Sequence, residues 1–231
     1  HLAVHSLKDL PVENSPGLTL GAIVGRADVR DVLIAASGNR LATLPPGAVV
    51  GTSSLRRQSQ LHRVRPDLEI RSIRGNVETR IRKVREGNYD ATVLAAAGVS
   101  RLGLEDNIAD WLPLEIMLPA PGQGALAVQC RADDTKTLQL LAAIHQAKVA
   151  AAVTAERTFL HALGGGCATP VAAHATVDAA NGRLHLTGLV GSVDGLAVVV
   201  VSDSGDDAHT LGRKLARQAI AQGAAEILAH V

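Results

Sequence analysis

Between Ala48 and Val99 short apolar runs alternate with amphipathic ones, and this limits the available folds more than any other feature of the chain. Ala48-Val-Val50 reads as a strand running into Gly51-Thr-Ser-Ser-Leu-Arg-Arg57. Small hydroxyl residues ahead of good helix formers mark a helix N-terminus, where unpaired N–H groups and the positive dipole end make a natural anion site. Leu68–Ile73 follows as a strand and Arg74-Gly-Asn76 as a turn. Val77, Ile81 and Val84 fall on one face of a helix that Gly87 closes. Tyr89–Val99, apolar almost throughout, reads as a buried parallel strand. Strand–helix–strand–helix–strand is the grammar of an α/β unit, and residues 30–118 are assigned to it.

Ahead of that unit lie a strand (Leu2–Val4), a polar corner (His5-Ser-Leu-Lys-Asp-Leu-Pro11) and a second strand (Gly17–Val24). Pro11 biases Leu10 away from helical backbone, so the corner is expected to be an extended loop. Lys8 and Asp9 read either as a solvated turn or as ligand-facing residues, since ligands bind at strand ends in α/β proteins. Pro119-Ala-Pro-Gly-Gln-Gly124 interrupts the pattern and reads as a hinge, joined to the segment near residues 25–30. Leu126–Cys130 alternates like a strand, and a helix-rich stretch then runs to Leu163. Strands at Val171–Val177, Arg183–Gly191 and Leu196–Asp203 precede a helix from His209 to about Gln222, the order of a small α+β domain. The expected division is 1–24 with 125–142, then 30–118, then 147–231.

With only Tyr89, Trp111 and Phe159 aromatic, the cores must be built from Ala, Val, Leu and Ile. No apolar run approaches the ~20 residues needed to span a bilayer, and no signal-peptide pattern opens the chain. Two cysteines, Cys130 and Cys167, make no disulfide framework, so a cytoplasmic protein is expected. The net charge of +1 is unevenly spread: residues 51–101 hold eleven basic against five acidic side chains, and the remainder twelve against seventeen. Arg63, Arg82, Lys83 and Arg85 suit a solvated helix face. Arg56, Arg57, Arg74 and Arg80 sit at or near helix starts, against the dipole, which points to an anionic ligand. A nucleic-acid partner is disfavoured, because one tyrosine makes no stacking platform for bases.

The helix-like run Ala152–Leu163 stops at Gly164-Gly-Gly166, and Cys167 follows at once beside Thr169 and Pro170. Glycines end helices and leave an open, approachable backbone. Cys167 then has two readings: a small buried residue at a helix–strand turn, or a covalent attachment point or nucleophile.

Five segments in order, Val4-His-Ser-Leu-Lys-Asp-Leu-Pro11, Gly51-Thr-Ser-Ser-Leu-Arg-Arg-Gln58, Arg71-Ser-Ile-Arg-Gly-Asn76, Pro119-Ala-Pro-Gly-Gln-Gly124 and Gly165-Gly-Cys167, give the chain a resemblance to the porphobilinogen deaminase (hydroxymethylbilane synthase) family of tetrapyrrole biosynthesis. The resemblance runs from His1 to Val231. It implies an α/β fold of two doubly wound, periplasmic-binding-protein-like lobes joined by hinges, with a small C-terminal α+β domain. It implies that Cys167 carries a dipyrromethane cofactor through a thioether. On it four porphobilinogen units are joined head to tail with loss of ammonia, and hydrolysis releases hydroxymethylbilane. Asp9 would be the catalytic residue. Lys8, Ser54, Arg56 and Arg57 would hold the cofactor's carboxylates, and Arg74, Arg80, Arg101 and Gln123 the substrate or growing chain. No metal, nucleic acid or membrane is implied, and a monomer is expected. The family has a longer N-terminal lobe, and this chain opens without Met on strand-like residues. An upstream piece is therefore expected, and a chain truly starting at His1 is expected to be weakly active or inactive. The competing expectation is a non-catalytic anion-binding protein of the periplasmic-binding fold, which the basic segment suits but the Gly-Gly-Cys loop does not.

Overall fold

The computed structural model describes residues 1–13, 15–166 and 169–230. Its strands are β1 (Leu2–Ser6), β2 (Leu18–Arg26), β3 (Asp31–Ala35), β4 (Val49–Gly51), β5 (Glu69–Arg71), β6 (Ala91–Ala95), β7 (Ile108–Trp111), β8 (Ala125–Arg131), β9 (Val171–Val177), β10 (Leu184–Gly191) and β11 (Val198–Gly205). Its α-helices are α1 (Leu55–Val64), α2 (Val77–Arg85), α3 (Ala96–Arg101), α4 (Thr135–Ala142), α5 (Ala147–Ala162), α6 (Ala208–Ala221) and α7 (Ala224–Leu228). Among the described residues the strands form three sheets, in the orders β1-β8-β2, β5-β4-β6-β3-β7 and β11-β10-β9. The class is α/β, with an antiparallel third sheet packed against α5 and α6.

The five-stranded sheet is mixed. β4 pairs in parallel with β5 and β6, whereas β3 runs antiparallel to both β6 and β7. Leu33, Val50, Leu61, Val93 and Met117 build a core on one face, and Val32, Ile34, Ile81, Leu94 and Val99 build one on the other. Burial on both faces is why Val32–Ala35 of β3 and Val93–Ala95 of β6 are apolar without alternation. Tyr89–Val99 is not one strand, however, because β6 stops at Ala95 and α3 begins at Ala96. Ala96, Ala97 and Val99 are buried on that short helix, so burial demands apolar residues there in either conformation.

The corner after β1 also differs from expectation, forming a 3-10 turn over Leu7–Asp9 instead of an extended loop. Pro11 restricts only its neighbour: Leu10 is extended at φ −81°, ψ 135°, while its N–H still closes the turn onto Leu7 O at 3.2 Å.

Two crossings connect the first sheet to the five-stranded one, and they run side by side. Ala27 N–H donates to Gly124 O at 3.1 Å, and Gln123 Nε2 donates to Val29 O at 2.7 Å. Gly124 has φ +88°, and a Cβ there would lie 2.6 Å from the Ala27 carbonyl oxygen, so both conformation and space require glycine. Glu156 of α5 ties these crossings to the third sheet. Fully buried, it accepts from Arg26 Nη2 at 2.7 Å, Gly122 N–H at 2.7 Å and Ala175 N–H at 2.7 Å. In the third core the buried Phe159 ring lies against Gly188, where a Cβ would fall 2.4 Å from the ring.

Candidate active site

A cavity of about 420 Å³ opens where the β1 corner, the starts of α1 and α2, helix α3 and the Gln123–Gly124 crossing converge. Ser54 caps α1, its Oγ facing the Arg57 N–H at 3.5 Å, and Asn76 caps α2 by accepting from Thr79 N–H at 2.8 Å. Ser54 and Asn76 both line the cavity, so two helix N-termini border it with their positive ends.

Arg56 and Arg57, both buried, form one wall. Behind them stands Asp31, the first residue of β3 and fully buried. Its Oδ2 accepts from Arg56 Nη2 at 2.7 Å and its Oδ1 from Arg57 Nη2 at 2.8 Å. Arg56 Nη1 donates to Leu118 O at 2.7 Å, and Arg57 Nη1 to Val93 O at 2.9 Å. Each guanidinium therefore spends its two Nη groups on the protein, while each Nε is buried with no protein partner. Burial alone would push the Asp31 carboxyl up; the adjoining Arg56 and Arg57 charges override it and hold the group well below the usual carboxylate range. Arg56 and Arg57 thus have a structural reason to stand at the helix start. Asp31 escapes a sequence reading because an acid heading an apolar run looks like a surface residue until its partners are known.

The other expected residues divide. Lys8, Asp9, Arg80, Arg101 and Gln123 line the same cavity, with Asp9 exposed at its edge. Burial, and then the Arg57 charge, lowers the Lys8 ammonium from 10.5 to about 8. Burial and Arg57 likewise lower Arg80, whose Nε donates to Gly75 O at 2.8 Å. Arg101 Nη2 donates to Gly124 O at 3.1 Å. Gln123 is fully buried and donates to Asp31 Oδ1 at 3.0 Å, an orienting contact within the protein, while its Oε1 has no protein partner. Arg74 is exposed on the turn before Gly75 and is not among the cavity-lining residues. Cys167 lies outside the described residues. Gly166 and Thr169, on either side of it in sequence, line a smaller cavity together with Lys8, Ser54 and Arg56. Among the described residues no cluster of three His, Cys, Asp or Glu is placed to hold a metal, and no single helix is long and apolar enough to cross a membrane.

Two buried guanidiniums, a lysine and two helix N-termini around one cavity make it a cleft of positive potential, the class of site suited to anions. The family model described as porphobilinogen deaminase, dipyromethane cofactor binding domain, matches residues 1–139, and that for the porphobilinogen deaminase C-terminal domain matches residues 150–221. The porphobilinogen deaminase of Brevibacillus brevis is 53% identical over 229 residues, 99% of this chain and 74% of that protein. That of Syntrophotalea carbinolica is 50% identical over 230 residues, 99% of this chain and 72% of its own length. The chain belongs to the porphobilinogen deaminase family. Among solved structures, a Bacillus subtilis lipoprotein overlaps 58% of this chain and 63% of its own at a TM-score of 0.38 and 11% identity, too little to bear on function.

Proposed function

We propose that this chain condenses four porphobilinogen molecules head to tail, with release of ammonia, to hydroxymethylbilane, using a dipyrromethane cofactor attached to Cys167. The observation that carries the reading is the pair of buried arginines with unspent Nε–H groups at a cavity rimmed by further cations. Every pyrrole unit brings two carboxylates, and a hydrogen bond to a charged group contributes about 1.5–3 kcal/mol. The residues present therefore fit the cofactor. When bound, it supplies the end to which substrate units are added.

In this reading Arg56, Arg57, Lys8 and Ser54 hold the cofactor's acetate and propionate groups, close to Gly166 and Thr169. Arg80 and Arg101, which line the larger cavity, hold those of the incoming substrate, and Gln123 positions Asp31 behind Arg56 and Arg57. Arg74, next to the cavity-lining Gly75, would meet a chain that has outgrown the cavity. Loss of ammonia leaves the substrate pyrrole electron-poor, a charge that a fixed Asp9 carboxylate stabilises. The same carboxylate accepts the proton released on ring coupling. We take the protein to be a cytoplasmic monomer acting on a small molecule, without nucleic-acid or membrane partners.

Intact mass of the purified chain and of Cys167→Ala tests the proposal. Two extra pyrrole units on the wild type alone are expected. Bare polypeptide mass in both would overturn it in favour of an anion-binding protein without a covalent cofactor.

A pH dependence follows from Lys8. Its ammonium is charged below about pH 8 and neutral above, so its help to a bound carboxylate fades as pH rises through that value. The Cys167→Ala protein should bind a small polycarboxylate such as citrate about tenfold more weakly at pH 9 than at pH 7, the loss of one charge-assisted hydrogen bond. Calorimetric titration of Lys8→Met should show a flat profile. An equal decline in that variant would remove Lys8 from the anion site.

A further inference from the structure

We propose that Arg157 is a positioning residue for this reaction, holding the Lys8–Asp9 turn in register with the loop that follows α5. The inference rests on the proposed function and adds to it a residue that acts through the turn carrying Asp9. A 3-10 turn of three residues leaves the carbonyls beyond its end in need of partners; here one guanidinium takes up two of them and adds a second donor to Leu7 O, which already accepts the Leu10 N–H. Arg157 Nη1 donates to Leu7 O at 3.2 Å and to Leu10 O at 3.1 Å, and Nη2 donates to Pro11 O at 2.6 Å. These carbonyls bracket Lys8 and Asp9 on both sides. The fully buried Leu7 side chain adds a second tether, packing in one cluster with Val153 on the same helix.

Helix α5 is well suited to set this distance. The residue before Arg157 is Glu156, which anchors the helix to the crossing through Gly122 and to the third sheet through Ala175. Phe159 fixes it in the third core, and the helix ends at Ala162, just before Gly164-Gly-Gly166. The Arg157 side chain also lines the small cavity that Gly166, Lys8, Ser54 and Arg56 share. One rigid element thus touches the turn carrying Asp9 and leads into the attachment loop. A planar fork can hold carbonyls on both sides of the turn at once, whereas an ammonium is a point donor. Misplacing a reacting group by about 1 Å can cost on the order of a hundredfold in rate.

Arg157→Lys and Arg157→Ala would be compared with the wild-type holoenzyme for kcat, KM, melting temperature and intact mass. Arg157→Lys is expected to keep the covalent mass excess and a KM within about threefold, while kcat per loaded molecule falls roughly ten- to a hundredfold. In Arg157→Ala, millimolar guanidinium ion should restore part of the lost kcat. A wild-type kcat in the lysine variant would overturn the proposal. So would a loss of turnover fully accounted for by lost cofactor or lost folding, with no guanidinium rescue. Wild-type protein without the mass excess would count against the proposed function itself, so the two failures are separable.

Discussion

Replacing Asp31 with asparagine is expected to destabilise the protein by about 3–5 kcal/mol, the usual cost of removing one partner from a buried ion pair. Asp31 is fully buried, and its two oxygens receive Arg56 at 2.7 Å, Arg57 at 2.8 Å and Gln123 at 3.0 Å. An amide of the same shape removes the countercharge from two buried guanidiniums and presents a donor to one of them. The sign of the pH dependence follows from the same contacts. Because the folded carboxyl is held below its ordinary value, its stabilisation is present above the unfolded value of about 4 and is lost as pH falls through the folded one. The gap between wild type and variant should therefore be complete at neutral pH and close only in strong acid. Urea unfolding of both proteins across this range checks it. A difference below about 1 kcal/mol at neutral pH would mean that water in the cleft satisfies the arginines without Asp31.

Asp9→Asn is expected to reduce turnover by about 10²- to 10⁴-fold, the usual contribution of a positioned acid–base group, while leaving fold and covalent cofactor in place. Asp9 is exposed at the cavity edge, and the turn that carries it is held through the backbone carbonyls of Leu7, Leu10 and Pro11. An isosteric amide disturbs none of those bonds. It cannot accept the coupling proton, however, and it offers no charge to an electron-poor pyrrole. Ammonia release per loaded enzyme, read beside intact mass and a thermal melt, separates chemistry from assembly. Near-normal turnover in a fully loaded variant would remove Asp9 from the mechanism. Of the two carboxylates, Asp31 is buried against arginines and Asp9 is exposed at the cavity edge.

Much of the local structure was legible. Ser54 and Asn76 do begin α1 and α2, because capping depends on a side chain reaching an N–H a few residues away. Val77, Ile81 and Val84 do share one face: Ile81 lies in the second core of the mixed sheet, Val77 packs against it, and Val84 is buried. Less visible were α3, whose apolar residues suit a strand as well as a helix, and the 3-10 turn, which a proline two residues past Asp9 seemed to forbid. β3 is another such case: its antiparallel insertion beside β6 depends on pairings no local pattern encodes.

The amino-acid sequence by itself determined the α/β class, the starts of α1 and α2, the glycine run after α5 and a basic segment suited to anionic ligands. All of these arise from interactions over a few residues or from charge counting. Only the tertiary structure decided which charges meet. Asp31 lies 25 residues from Arg56 and 92 from Gln123, yet it accepts hydrogen bonds from both. Arg157 reaches back 150 residues to Leu7. Such contacts follow from where the sheets and crossings place buried groups, and burial makes each unpaired charge or carbonyl costly enough to select its partner.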